Sequence, residues 1–198
     1  MNGTTVVLTG ATSGIGEAAA RRFAATCDRL ILHGPESRGD VVSLLGTLAA
    51  DGRAELHHLE ADLDDLDNVS RPATRTLDLD DIGLEHGYSP VRAYAQSKLA
   101  MVAHALTQAG RWDEDGPRIV SISPGVIGTR LLHAMFAVRG ADPGHGARNV
   151  VEAATGSIPY SGAYLDDGRP AHPSAQARDE AFRARLATVT HRLISAWL

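Results

Sequence analysis

The stretch TTVVLTGATSGIGEAAA, residues 4 to 20, limits what this chain can fold into more than any other. Its Thr and Val run reads as a short buried strand, and Ile15, Ala19 and Phe23 recur beyond it at helical spacing. Strand, glycine-rich turn and helix in that order open a βαβ unit. In that setting Gly10 permits a tight turn, Gly14 lets the backbone approach a pyrophosphate, and Gly16 allows close helix packing. The helix N-terminus adds amide donors and a favourable dipole for phosphates. Glycines alone would make only a flexible turn; their place after the first strand gives them this chemistry.

The pattern continues. RLILHG at 29 to 34 reads as a second strand, RGDVVSLLGTLAA as a second helix, and AELHHLEADL at 54 to 63 as a third strand. Such alternation implies an α/β fold, a Rossmann-like doubly wound parallel sheet in three αβα layers. At 198 residues the chain is expected to form a single domain, residues 1–198, with no repeat or linker dividing it. With 43% hydrophobic and 22% charged residues and a formal charge of −5, nothing favours nucleic acid or an anionic membrane as partner. No apolar run is long enough to span a bilayer. The single cysteine, Cys27, suits a reducing compartment. A strand starts almost at the first residue with no basic leader before it, so a cytoplasmic protein is the expectation.

Lys98 is the only lysine beside 18 arginines. The general preference for arginine is not chemical at most solvated positions, which makes the exception informative. Lysine is a compact point charge that can approach one oxygen and tune a neighbour, whereas arginine is a planar fork. Tyr94 lies four residues earlier, on the same face of a helix. A free phenol with a pKa of ~10 is a poor base near neutrality, and a nearby cation favours the phenolate. An ordinary surface lysine is the bland alternative.

TGATSGIG at 9 to 16, DL at 62 and 63, YAQSK at 94 to 98 and PGVIGT at 124 to 129 together resemble the short-chain dehydrogenase/reductases. LDLDDIGLEHGYSPVRAYAQSKLA looks more narrowly like their retinol-dehydrogenase-like branch, as does the carboxy-terminal SGAYLDDGRPAHPSAQARDEAFRARL. The resemblance implies an NAD(P)-dependent oxidoreductase that interconverts a secondary alcohol and a ketone or aldehyde. Tyr94 would pass the proton, and Lys98 would lower its pKa and hold the nicotinamide ribose. Thr12, Ser13 and Ile15 would join Gly10, Gly14 and Gly16 in the phosphate-binding turn. Asp62 and Leu63 would border the adenine, with a merely acidic helix start as the alternative. Pro124, Gly125, Ile127 and Thr129 would contact carboxamide and phosphates.

In the family an acidic residue ending the second strand marks NAD, and a basic residue just after it marks NADP. Here Gly34 and Pro35 stand at those positions, and Glu36 and Arg38 just beyond point in opposite directions. The absence of an acid at the strand end tilts the reading to NADP over NAD. The partner is a small carbonyl or alcohol, and the family admits a homodimer.

Residues 63 to 93 depart from the family, which places there a fourth strand with an Asn-Asn-Ala-Gly-like motif, a helix with a catalytic asparagine, and a fifth strand with the catalytic serine. A parallel crossover alone needs a dozen or more residues, so roughly two strand-helix units are missing. About five strands are expected, in order 3-2-1-6-7, with the first against the strand ending at Ser123. Ser70, Thr74, Thr76 and Ser123 could each supply the missing hydroxyl, but hydroxyls at caps and turns are common, and none is assigned as catalytic. The same scaffold also suits a non-redox isomerase or cyclase, or a noncatalytic binder of cofactor or protein. Toward the C-terminus, Ser174 is read as a helix cap, with Phe182, Leu186, Val189, Leu193 and Trp197 as an apolar stripe. GADPGHGARN is read as a turn before another helix. The nine histidines show no metal-ligand spacing.

Overall fold

The computed structural model describes residues 4–60, 76–112, 116–135, 138–156 and 160–195. They gather into two compact units, Met1–Asp67 with Pro124–Gly156, and Asn68–Ser123 with Ser157–Leu198.

In the first unit β1 (Thr5–Thr9), β2 (Arg29–Gly34) and β3 (Glu55–Glu60) form a parallel sheet in the order β1-β2-β3, with Val7 opposite Ile31 and Ile31 opposite His57. The crossovers are α1 (Gly14–Thr26) and α2 (Val42–Asp51). Both pack on the sheet face carrying Leu30 and Leu32, where Phe23, Cys27 and Leu48 complete a buried core. Alanines at 19, 20 and 24 give α1 a smooth inner surface that approaches the strands closely. Burial pushes the Cys27 thiol above its ordinary pKa, so it is a core residue and a poor nucleophile. After Pro124 the chain adds α4 (Arg130–Met135) and α5 (Pro143–Thr155), and Ala147 of α5 enters the same core. Helix α5 starts inside the expected GADPGHGARN turn, because Asp142 accepts a bond from Gly144 N at 2.7 Å and Pro143 takes the first helical position.

The second unit is built around α3 (Pro90–Ala109), the longest described helix. Ser89 caps it, accepting from Arg92 N at 3.2 Å, and Pro90 opens it. The preceding segment is held by its own side chains: Asp81 accepts from Glu85 N and His86 N, and Arg92 donates to His86 O at 2.9 Å. Leu77 and Leu79 from this segment join Ala103, Ala177 and Leu186 in a core of their own. Gln176 fastens it there. Its amide accepts from Leu77 N and donates to Leu77 O, both at 2.8 Å, in imitation of a strand neighbour.

A second sheet joins β4 (Val120–Ser123), β5 (Ala163–Asp166) and β6 (Arg169–Ala171), with β4 and β5 parallel and β5 and β6 antiparallel. The described strands number six, close to the five expected, and pair as three in each unit; the order 3-2-1-6-7 is not among the described pairings. The unforeseen strand is β6. Asp167 at φ 48° and Gly168 at φ 76° make a two-residue turn whose twist matches a hairpin. The helix expected from Ser174 is likewise two: α6 (Ala175–Arg178), capped by Ser174, and α7 (Glu180–Ser195), whose first turn Asp179 caps through Phe182 N at 2.9 Å. Of the expected stripe, Leu186 and Val189 are buried and Leu193 is exposed, while Trp197 lies outside the described residues.

Candidate functional site

The glycine turn sits at the carboxyl end of β1, where a parallel sheet leaves room for a ligand. Gly10 and Gly14 have φ of 61° and 56°. At Gly16 the constraint is contact: a Cβ there would lie 1.9 Å from Gly10 O. Ser13 takes the N-cap position of α1 but makes no side-chain capping bond, so the first amides of the helix are left for another acceptor. A Cβ on Gly14 would meet Thr129 Cγ2 at 3.3 Å, which puts the PGVIGT segment beside the turn. These features fit a pyrophosphate: a cradle closed to larger residues, with uncapped amides and one wall made by Thr129.

The rest of that segment is firmly placed. Asn149 donates to Pro124 O at 3.3 Å, Gly125 has φ 91°, and Ile127 is buried and bridged to Ala141. Gly146 of α5 packs against both Ile127 and Ile15, within 3.0 and 3.2 Å of where its Cβ would be. Thr129 accepts from Leu132 N at 3.2 Å, so it also caps α4. Gly10, Ser13, Gly14, Ile15, Gly16, Pro124, Gly125, Ile127 and Thr129 are thus brought together in one unit. Thr12 joins them at the end of β2, 2.7 Å from the position of a Cβ on Gly34. Asp62 and Leu63 lie outside the described residues, as do Ser70 and Thr74.

Glu36, which in the sequence opposes Arg38 as a cue for cofactor choice, turns back toward the end of β2. Its Oε2 lies 2.8 Å from the same Gly34 position, beside Thr12, and is buried without a hydrogen-bond partner. Gly34 makes this possible, since any side chain there would fill the space. Asn149, which anchors Pro124 from a distant helix, was missed; nothing in its local sequence marks it.

In the second unit Tyr94 and Lys98 occupy adjacent turns of α3, as i and i+4 require. Tyr94 is half-buried and Lys98 exposed, with its Nζ 5.2 Å from the Tyr94 ring centroid and 3.9 Å from Met101 Sδ. Gln96, between them in sequence, is 4% exposed with neither amide atom bonded. Of the hydroxyls weighed as replacements for the missing serine, Thr76 is exposed and Ser123 ends β4, which pairs with the β5 strand that carries Tyr164. Burial, and after it the Asp166 carboxylate, raise the Tyr164 phenol above its ordinary pKa, and the Ser123 hydroxyl opposes them. Among the described residues no group of three or more His, Cys, Asp or Glu is placed to hold a metal ion, and no helix is long and apolar enough to cross a membrane.

No protein-family model matches the sequence. Polyprenol dehydrogenase of Mus musculus is 36% identical over 136 residues, which is 61% of this chain and 41% of that protein. The chain thus spans about two fifths of the length of the curated relative it matches. Solved structures share the fold at lower identity. A short-chain dehydrogenase/reductase family protein superposes with a TM-score of 0.57 at 20% identity, over 83% of this chain and 96% of its own. L-sorbose reductase from Gluconobacter frateurii, solved with NADPH and L-sorbose, gives 0.58 at 14%, over 84% and 96%. YwfH, an NADPH-dependent reductase of bacilysin biosynthesis, gives 0.62 at 11%, over 83% and 96%. The chain is thus similar in part of its sequence to polyprenol dehydrogenase and similar in fold to solved short-chain dehydrogenase/reductases.

Proposed function

We propose that the chain is an NAD(P)-dependent oxidoreductase interconverting an alcohol with a ketone or aldehyde. The observation that carries this reading is the pairing on α3, where the only lysine of the sequence lies against the ring of Tyr94. Gly10, Thr12, Ser13, Gly14, Ile15, Gly16 and Thr129 would hold the phosphates of the dinucleotide, and Pro124, Gly125 and Ile127 its carboxamide end. A bound nicotinamide supplies or accepts the hydride. Tyr94 then has the proton: it delivers it to the carbonyl oxygen during reduction and takes it back during oxidation. The Lys98 ammonium stands beside the Tyr94 ring and offers donors to ribose hydroxyls. Positive charge at this position is what the reaction needs, and a lysine brings it on a compact head.

Cofactor choice turns on Glu36. The names of two structural neighbours support NADP, in line with the lean drawn from the empty strand end. Against it, an unpartnered carboxylate oxygen beside Thr12 accepts from a ribose diol and repels a 2′-phosphate, which favours NAD. For the substrate, the named activity of polyprenol dehydrogenase and the exposed Val126 and Val138 that flank the 127–141 bridge support an apolar alcohol or carbonyl compound. Fluorescence titration with NADH and NADPH, followed by a carbonyl screen on wild type and Tyr94→Phe, tests the reading. It expects nucleotide binding in both proteins, with turnover lowered about 10²- to 10⁴-fold in the variant. Absence of binding by either nucleotide overturns it.

A further inference from the structure

Among the described residues Lys98 has no carboxylate partner. What holds its ammonium is the face of Tyr94 at 5.2 Å and the thioether of Met101 at 3.9 Å, one turn on along α3. Both are weak acceptors, so a stronger one placed in this spot would take the ammonium over. Met101 is also 62% exposed, unusual for so apolar a side chain and open to any small solute.

We propose that Met101 is a modification site governing Lys98: oxidation of its thioether to the sulfoxide draws the lysine ammonium away from Tyr94. The oxidant is a peroxide. Sulfur gives up two electrons and gains one oxygen, and hydrogen peroxide leaves as water. The new S=O oxygen projects from an atom already next to Nζ, and it accepts a charge-assisted hydrogen bond that neither the sulfur nor the ring can match. Cys27 does not compete, because it is buried and its thiol pKa is raised. Methionine sulfoxide reductases return the thioether, which makes the change reversible. The loss of activity that follows rests on the role proposed above for Lys98; the change of contact does not.

The single lysine makes the test clean, since protein labelled with ¹³C-lysine gives one ε-carbon signal. Hydrogen peroxide treatment, with sulfoxide at residue 101 confirmed by peptide mass, is expected to move that signal in wild type and in Met135→Leu and to leave it in place in Met101→Leu. Reductase treatment returns it. The proposal is overturned if the signal stays put although residue 101 is oxidised, or if it moves equally in Met101→Leu. In parallel, turnover of wild type is expected to fall about tenfold on oxidation and recover on reduction, with no further change in Met101→Leu. A moving lysine signal in a protein that turns over no carbonyl substrate sinks the oxidoreductase reading and leaves the contact standing.

Discussion

Gly16→Ala tests the phosphate cradle most directly. The added methyl would lie 1.9 Å from Gly10 O, 2.7 Å from Gly10 C and 3.2 Å from Ala11 Cα. All three are backbone atoms, so no rotamer change relieves the clash, and turn and helix must part by about 1.5 Å to restore ordinary contact. Ala11, Ala19 and Ala20 are fully buried around the junction and leave little slack. Overpacking of this kind costs about 1–3 kcal/mol, and the upper end applies here. Replacing glycine by alanine within a helix returns at most about 1 kcal/mol. The net expectation is a loss of about 2 kcal/mol, or a melting temperature lower by roughly 4–8 °C for a chain of this size, together with loss of nucleotide binding. Gly46→Ala in α2 is the matched control. A Cβ there meets nothing within 4 Å, so the same methyl should raise stability by about 0.5–1 kcal/mol. Circular dichroism melts and NAD(P)H fluorescence read both effects. Gly16→Ala melting at or above wild type with undiminished binding would refute the close approach and the cradle built on it.

Glu36→Gln removes the charge beside Thr12 and should tighten NADPH about tenfold relative to NADH in the same titration; an unchanged ratio would remove Glu36 from cofactor choice. Gln176→Ala strands both backbone groups of Leu77, and urea unfolding should show a loss of about 2–4 kcal/mol. Because the folded pKa of Tyr164 is raised, its contribution to stability is fully present below the unfolded value of ~10 and is lost as pH rises through the folded value. Tyr164→Phe should therefore flatten the alkaline decline of the urea midpoint. Ser123→Ala should lower stability by about 1 kcal/mol and leave turnover within a few-fold of wild type.

What could be read from the sequence was local. The turn from β1 into α1 depends on Gly10, Gly14 and Gly16 within a few residues of one another, and the Tyr94–Lys98 pair depends only on helical spacing. The three parallel strands of the first unit followed from alternation alone, and β2 appears with the bounds expected of it. The hairpin after Ala163 was legible in principle, because Asp167-Gly168 between short apolar runs is a strong turn signal, but the runs are only four and three residues long. The other misses are contacts between residues far apart in sequence. Gln176 meets Leu77 across 99 positions and Asn149 meets Pro124 across 25, and neither partner carries a local mark of the other. Glu36 is a different case: the sequence offers it as a cue opposed by Arg38, but its buried position depends on how the chain turns at Pro35 and on the missing side chain of Gly34, which no periodicity encodes.

The serine that the family resemblance leaves unassigned bears on the proposed chemistry, and the surroundings of Ser123 show why it is not a simple replacement. Losing a preorganised donor to a developing oxyanion costs about 10²- to 10³-fold in rate, so a stand-in hydroxyl would need to be free to donate to substrate. Ser123 ends β4, and its hydroxyl acts on the Tyr164 phenol of β5, opposing the rise that burial gives its pKa. To serve a carbonyl oxygen it would have to turn from that half-buried phenol. A serine doing catalytic work would show a rate loss of the size just given in Ser123→Ala with the fold intact; a serine tying β4 to β5 would show a loss of stability instead. The nearness of Tyr164 argues for the second, and it leaves Tyr94 as the one phenol that α3 offers for proton transfer with a cation beside it.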